Sequence, residues 1–347
     1  MAGGGPAGST AALELSRRGF TVALIEQDNY GNFRVGETLP PMIRHQLTGL
    51  GVWEQFLACH PLESYGIQSA WETPAPRQHD FLHNPYGCGW HVGRARFDAM
   101  LACAAARAGA ELLVSARVSS CEQRADGQWL LDVAQGGKSL TLSGRMLIDA
   151  TGRKALLASR LGSQAHVADH LIGAVAFSDR SETEQWTLIE AVEDGWWYSA
   201  PLPGARMVFA YMTDSDLWRN AEWAELMSLA PLTSQRAGRI EAPHPMEIVS
   251  AASVIRRPVS GPNWVAVGDA ALAFDPLSGQ GVFKSIATGS RSASAVARYF
   301  EGDSSGVAGY ENWVKETYQA YLSVRGQFYG NVLRWPGSRF WTRRVEV

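Results

Sequence analysis

The amino-acid sequence predicts an α/β fold (α+β by some schemes): a Rossmann-like dinucleotide-binding domain with an inserted β-sheet domain and C-terminal helices. Three observations predict it. Gly3, Gly5 and Gly8 stand at G-x-G-x-x-G spacing, directly before a helical stretch over about 9–18, a short apolar run over 20–25 and an acid, Glu26. Loop, helix, strand and acid in that order form the second part of a βαβ nucleotide unit. A second apolar strand, 146–148, ends at Asp149, and a third, 264–267, ends at Gly268-Asp269, with a strand-rich block over 165–260 between them.

Each glycine of the loop has its own task. The first allows a tight turn, the second lets a pyrophosphate approach the backbone, and the third lets helix and strand pack closely. The helix start then offers free N–H groups to a phosphate. The motif alone also fits a glycine-rich tail; Glu26, placed to accept ribose hydroxyls, makes it a dinucleotide site. Only Met1 and Ala2 precede the loop, so the first strand of the nucleotide fold is apparently missing. Such a strand is central, and losing it removes a wall of the site.

The remaining elements follow from period and punctuation. Met42, Ile43, Leu47, Leu50, Val52 and Phe56 predict a helix over 40–56, and 61–90 reads as aromatic loop. Phe97, Met100, Leu101, Ala104 and Ala105 predict a helix over 94–109 stopped by Gly109. Short strands over 111–123 and a hairpin at Gly136-Gly137 come next. Strand segments are expected over 171–177, 186–191, 196–200 and 207–211, a helix near 221–230, and two long helices over 280–299 and 310–334. The domain division expected is 1–60 plus 88–164 plus 262–300 for the nucleotide domain, 61–87 plus 165–261 for the substrate domain, and 301–347 as a C-terminal helical segment.

Composition bounds the function. The chain has 347 residues, 46% hydrophobic and 19% charged, enough apolar material for a sizeable core. A net charge of −3 lacks the footprint of a general nucleic-acid binder. No apolar run of about 18 residues exists, so no membrane span is expected. No charged and then apolar pattern of a secretory signal stands at the start of the sequence, so none is expected. Cys59, Cys88, Cys103 and Cys121 have no metal-ligand spacing and read as reduced thiols of a cytoplasmic protein; no metal site is expected.

Taken together, GGGPAGSTAA, Arg34-Val35-Gly36-Glu37-Thr38-Leu39-Pro40-Pro41, Arg94-Ala95-Arg96-Phe97-Asp98, DATGR and VGDAALAFDPLSGQG resemble the FAD-dependent monooxygenase and halogenase superfamily, of p-hydroxybenzoate-hydroxylase-like fold. They span nearly the whole chain in the expected order. The resemblance implies FAD as cofactor. It implies that Gly3, Gly5, Gly8 and Glu26 hold the ADP half and that Arg34 and Arg94 contact the pyrophosphate or neighbouring loops. Gly268 and Asp269 would meet the ribityl chain, and Pro276, Gly279, Gln280 and Gly281 the isoalloxazine. The helix opening near Gln280 would aim its positive end at the flavin.

A closer resemblance, carried by 84–91, Gly195-Trp196-Trp197-Tyr198, FDPLSGQG and the tail 334–344, is to halogenase-like flavoproteins that mature tryptophylquinone enzymes. It implies a monooxygenase acting through a flavin C4a-hydroperoxide on an electron-rich aromatic substrate, either a small molecule or a tryptophan side chain of a partner protein. Electrons would come from NAD(P)H or a separate flavin reductase. Candidate catalytic residues are His91, Trp197, Tyr198 and Glu37; each also fits a structural role. Three other readings stay open: a flavin-dependent halogenase, a geranylgeranyl-reductase-like flavin reductase, and an N-terminally truncated chain with impaired flavin binding. Against the first, the lysine that flavin halogenases carry after the GE motif is absent from 64–71, and the first lysine of the chain is Lys138. The W-x-W-x-I-P motif also has only the partial match 196–201.

Overall fold

The computed structural model describes residues 1–32, 34–179, 184–218, 223–237 and 246–344. The apolar run before Glu26 forms the strand Ala23–Ile25, paired in parallel with Glu111–Leu113. Leu147–Asp149 pairs in parallel with Trp264–Ala266, and Ser260–Gly261 lies antiparallel at that edge. Met1 and Ala2 lie between these two blocks. Ala2 bridges Ile25 on one side and Asp149 on the other, both in parallel. Its N–H donates to Ile148 O at 3.0 Å, and its carbonyl accepts from Ala150 N at 2.8 Å. The strand expected to be missing is therefore present at its carboxyl end, which carries the loop. Behind Met1 lies a cavity of about 570 Å³ bordered by Leu15, Phe20, Val22, Leu131 and Ile148.

The glycine loop runs into the helix Pro6–Arg17, with Pro6 in the first turn, where its missing N–H is harmless. Its small residues let two other helices approach. Against Gly281–Phe300 the contact is so close that a Cβ on Gly289 would lie 2.5 Å from Ala7 O. The pattern over 40–56 folds as two helices, Ile43–Gly49 and Trp53–Leu57, because Gly51 turns the chain at φ +60°. The expected hairpin forms, with Gly136 and Gly137 both at positive φ between antiparallel strands.

The second sheet has seven strands in the order Glu247–Ser250, Leu171–Asp179, Arg206–Asp214, Gly195–Leu202, Trp186–Val192, Gly66–Ala70 and Arg77–Asp80. The last two correct the loop reading of 61–90. Gly66–Ala70 pairs in parallel with Trp186–Val192, a partner far along the chain that no local pattern reveals. On Gly195–Leu202 the strand period of two puts Trp196 and Tyr198 on one face and Trp197 on the other. The helices Trp223–Ser228 and Pro231–Ala237 cover that other face, where Trp197 packs with Tyr211 and Trp223. Residues 221–222 of the helix expected near 221–230 lie outside the described residues.

The helix Ser305–Gly330 spans both parts. Its first half packs on the nucleotide core through Tyr310, Val314 and Tyr318, and Tyr329 joins Trp71, Trp196, Phe340 and Trp341 under the second sheet. Arg325, 5% exposed, pairs with Asp169 at 2.9 Å and Asp275 at 3.3 Å, and Tyr329 OH donates to the same Asp275 oxygen at 2.7 Å. Removing one partner of a buried set like this leaves charge unpaired away from water. Arg325→Leu is therefore expected to lower unfolding free energy by about 3–5 kcal/mol in urea titration; an unchanged midpoint would count against this network as a buried tie.

Candidate functional site

One cavity of about 740 Å³ runs from the glycine loop to the inner face of the seven-stranded sheet. The loop shows what its first half is shaped for. Gly3 has φ +106°, and a Cβ there would lie 2.1 Å from Ala150 O; on Gly8 it would lie 2.0 Å from Gly3 O. On Gly5, by contrast, a Cβ would meet nothing closer than Arg34 Nη1 at 4.0 Å. The outer glycines thus serve backbone packing, and Gly5 leaves an open face toward the cavity beside the start of a helix. That is the cradle a dinucleotide pyrophosphate needs.

Glu26, 4% exposed, ends its strand in the cavity wall. Its Oε2 accepts from Gly4 N at 2.7 Å, and its Oε1 accepts from Asp28 N at 2.9 Å and Arg34 Nη2 at 3.0 Å. Arg34 also reaches Asp98 Oδ2 at 3.0 Å. Arg94 grips the same carboxylate with Nε and Nη2, each at 3.1 Å, and donates to the Val35 and Gly36 carbonyls. The fully buried Asp98 is thus the hub that both arginines share. Sequence reading had it only as a motif letter. Both arginines line the cavity, but their donors are directed to carboxylates and loop carbonyls.

Gly268, at φ +61°, turns the chain so that Asp269 faces the cavity. Lys284 Nζ stands 2.5 Å from Asp269 Oδ1 and Arg153 Nε 3.6 Å from Oδ2. Burial raises the Asp269 carboxyl, but these two cations overcome it and hold the group below the ordinary carboxylate range. Asp275 accepts from Leu277 N at 2.9 Å and fixes the turn Pro276–Ser278. Pro276, Gly279 and Gly281 line the cavity. Gln280, expected beside them, is exposed and outside the lining, because as the residue capping the Gly281–Phe300 helix it turns its carbonyl to Lys284 N.

The second half of the cavity is floored by the sheet. Ile67, Ile189, Val208 and Ala210 form an apolar surface that Tyr198 and Thr187 interrupt. The Tyr198 hydroxyl meets Thr38 Oγ1 at 2.6 Å, and that oxygen meets His91 Nδ1 at 3.0 Å. Thr38 and His91 face each other across a small antiparallel ladder. His91 is fully buried and its Nδ1 meets Thr38, which lines the cavity. Burial, then the nearby Glu37, pushes the Tyr198 phenol far above its ordinary value, so it stays protonated near neutrality. Glu37, 5% exposed, accepts from Gly36 N at 3.0 Å through Oε2, while its Oε1 has no hydrogen-bond partner among the described residues. Burial raises its carboxyl. Trp197, expected in this wall, is on the opposite face of its strand, and Trp196 and Tyr198 line the cavity. Sequence reading also missed Thr38, which the GE stretch contained, and Thr187, for which the sequence holds no signal.

The model of the FAD binding domain family matches residues 1–319. The putative FAD-dependent oxidoreductase LodB of Marinomonas mediterranea is 29% identical over 357 residues, covering 99% of this chain and 95% of LodB. Tryptophan 2-halogenase of Chondromyces crocatus is 26% identical over 87% of this chain, and the chain spans 61% of that relative. Among solved structures, the flavin-dependent halogenase CmlS superposes with a TM-score of 0.88 at 25% identity, over 99% of this chain and 66% of CmlS. QhpG, a peptidyl tryptophan dihydroxylase, superposes with a TM-score of 0.79 at 22% identity, over 99% of this chain and 77% of QhpG.

The glycine geometry gives a contrast to measure. Gly5→Val is expected to leave the unfolding transition of the protein near that of wild type while weakening FAD retention at least tenfold, about 1.4 kcal/mol. Gly3→Ala is expected to lower stability itself. Equal FAD retention by Gly5→Val and wild type after desalting would show that the open face of Gly5 is not the cradle.

Proposed function

The chain belongs to the FAD binding domain family, and from that premise we propose that this FAD-dependent oxidoreductase is a monooxygenase that hydroxylates an electron-rich aromatic ring. The observation that carries the reading is the continuity of one cavity. It has a glycine cradle at one end and, at the other, an apolar floor crossed by the Tyr198–Thr38–His91 chain. In this reading residues 1–60, 88–164 and 262–300 form the FAD-binding domain, 61–87 and 165–261 the substrate domain, and 301–347 a C-terminal helical segment. Gly3, Gly5, Gly8 and Glu26 would hold the ADP half of FAD, Asp269 the ribityl chain, and Pro276, Gly279 and Gly281 the ring system. When bound and reduced, FAD supplies the activation of dioxygen.

The chain's own residues supply the rest. The apolar floor excludes water from the reacting ring. A ring attacked by an electrophile must lose a proton. Tyr198 takes it as its own hydroxyl proton passes to Thr38, and Thr38 hands its proton to the His91 imidazole. The threonine hydroxyl can do this because it accepts and donates at once. Reducing equivalents come from NAD(P)H, either directly or through a separate flavin reductase. The likeness to a peptidyl tryptophan dihydroxylase favours a tryptophan side chain on a partner polypeptide, and a small aromatic molecule fits the same floor.

A second reading, flavin-dependent halogenase, is favoured by the names of several relatives. Against it, no lysine lies among the described residues of the sheet floor to relay a hypohalous acid. One experiment separates the two. FAD-loaded protein is supplied with a flavin reductase, NADH, oxygen, bromide and tryptophan-containing peptides or simple indoles, and products are read by mass spectrometry. Products with added oxygen and none with bromine support the monooxygenase; brominated products replace it with the halogenase.

Two variants probe the wall. Tyr198→Phe is expected to keep FAD and lose about 10²-fold in turnover; unchanged turnover would remove Tyr198 from the proton path. For Glu37, the folded carboxyl titrates above its unfolded value, so folding is penalised as pH rises from the acid range toward neutrality. Glu37→Gln is therefore expected to be more stable than wild type near neutral pH and equal to it below about pH 4. Paired urea titrations across that range check the sign.

A further inference from the structure

Thr187 is a polar residue of the sheet floor that the proton chain does not use. It is 2% exposed, lines the cavity, and its Oγ1 has no hydrogen-bond partner among the described residues. Its neighbours on that face, Ile67 opposite it on the adjacent strand and Ile189 two residues on, are apolar. A valine would fill the same volume, suit the strand equally well, and bury no unsatisfied hydroxyl. Neither the strand nor a protein partner calls for the hydroxyl. Its position is specific. Ile189 pairs with Tyr198 across the ladder, so Thr187 is a diagonal neighbour of Tyr198 on the same face. Glu37, whose Oε1 has no hydrogen-bond partner among the described residues, also lines this cavity and is adjacent to the Thr38 that meets Tyr198.

We propose that Thr187 is a specificity-determining residue: its hydroxyl accepts a hydrogen bond from a ring N–H or O–H of the substrate, so that the floor selects aromatics bearing such a donor over bare rings of the same shape. The inference rests on the aromatic-substrate reading above. A buried acceptor left unmatched by a donor-less ring keeps its desolvation penalty, whereas a donor-bearing ring relieves it. Thr187 takes no part in the chemistry; it acts on which ring is held.

The test uses FAD-loaded full chain and two probes of nearly equal shape, indole and benzothiophene, with binding read from the perturbed flavin absorbance. Wild type is expected to bind indole about tenfold more tightly than benzothiophene. Thr187→Val is expected to bring the two within about twofold by weakening indole alone. Thr187→Ser retains the hydroxyl and is expected to keep the preference, which also tests the proposal should the valine variant fold poorly. An equal preference for indole in wild type and Thr187→Val, or no preference in wild type, overturns the inference and leaves the aromatic chamber standing. Failure of both rings to perturb the flavin overturns the chamber reading and this inference with it.

Discussion

The cavity depends on how closely backbone can approach backbone around Ala7. Gly8 lies where any Cβ would strike Gly3 O, and Gly289 brings the Gly281–Phe300 helix against Ala7 O from the other side. Gly268 completes the set, since a Cβ there would stand 2.8 Å from that of Ala7. Interiors are close-packed and do not absorb misplaced methyl groups cheaply. Two helix starts and the ends of three strands can therefore converge on one point only because these positions carry no side chain. Gly5, on the same loop, is the exception that faces open space, and the site follows from that difference.

A second constraint joins the two halves of the molecule. The turn Pro276–Ser278 borders the cavity, yet it is held from below by Asp275. That carboxylate is shared by Arg325 and Tyr329 of the Ser305–Gly330 helix. Tyr329 OH in turn accepts from Trp196 Nε1 at 2.9 Å, and Trp196 is part of the sheet wall. A buried ionic group is weak evidence for stability as such. What this one fixes is relative position: turn, long helix and sheet share hydrogen bonds in a single connected set.

The parts legible in the sequence were those written in local pattern. The glycine spacing, the acid after Ala23–Ile25 and the Gly136-Gly137 hairpin depend on residues close together in the chain, and the structure has them as read. Strand alternation alone separates Trp197 from Trp196 and Tyr198, whereas their shared aromatic character groups the three together. Other features were out of reach. The place of Met1 and Ala2 in the sheet depends on two strands that approach only in the fold. The pairing of Gly66–Ala70 with Trp186–Val192 and the sharing of Asp98 by Arg34 and Arg94 are long-range facts of the same kind. Thr187 is invisible in sequence because its meaning lies in a missing partner.

That the glycine cradle and the sheet floor bound one continuous space has a thermodynamic consequence. A molecule filling the first half becomes part of the wall seen by a molecule entering the second, so the two occupancies cannot be independent. Whatever free energy one contributes to the other is returned in equal measure, because linkage between two sites is reciprocal. A chamber of this shape therefore couples recognition of the second occupant to possession of the first, with no moving part required.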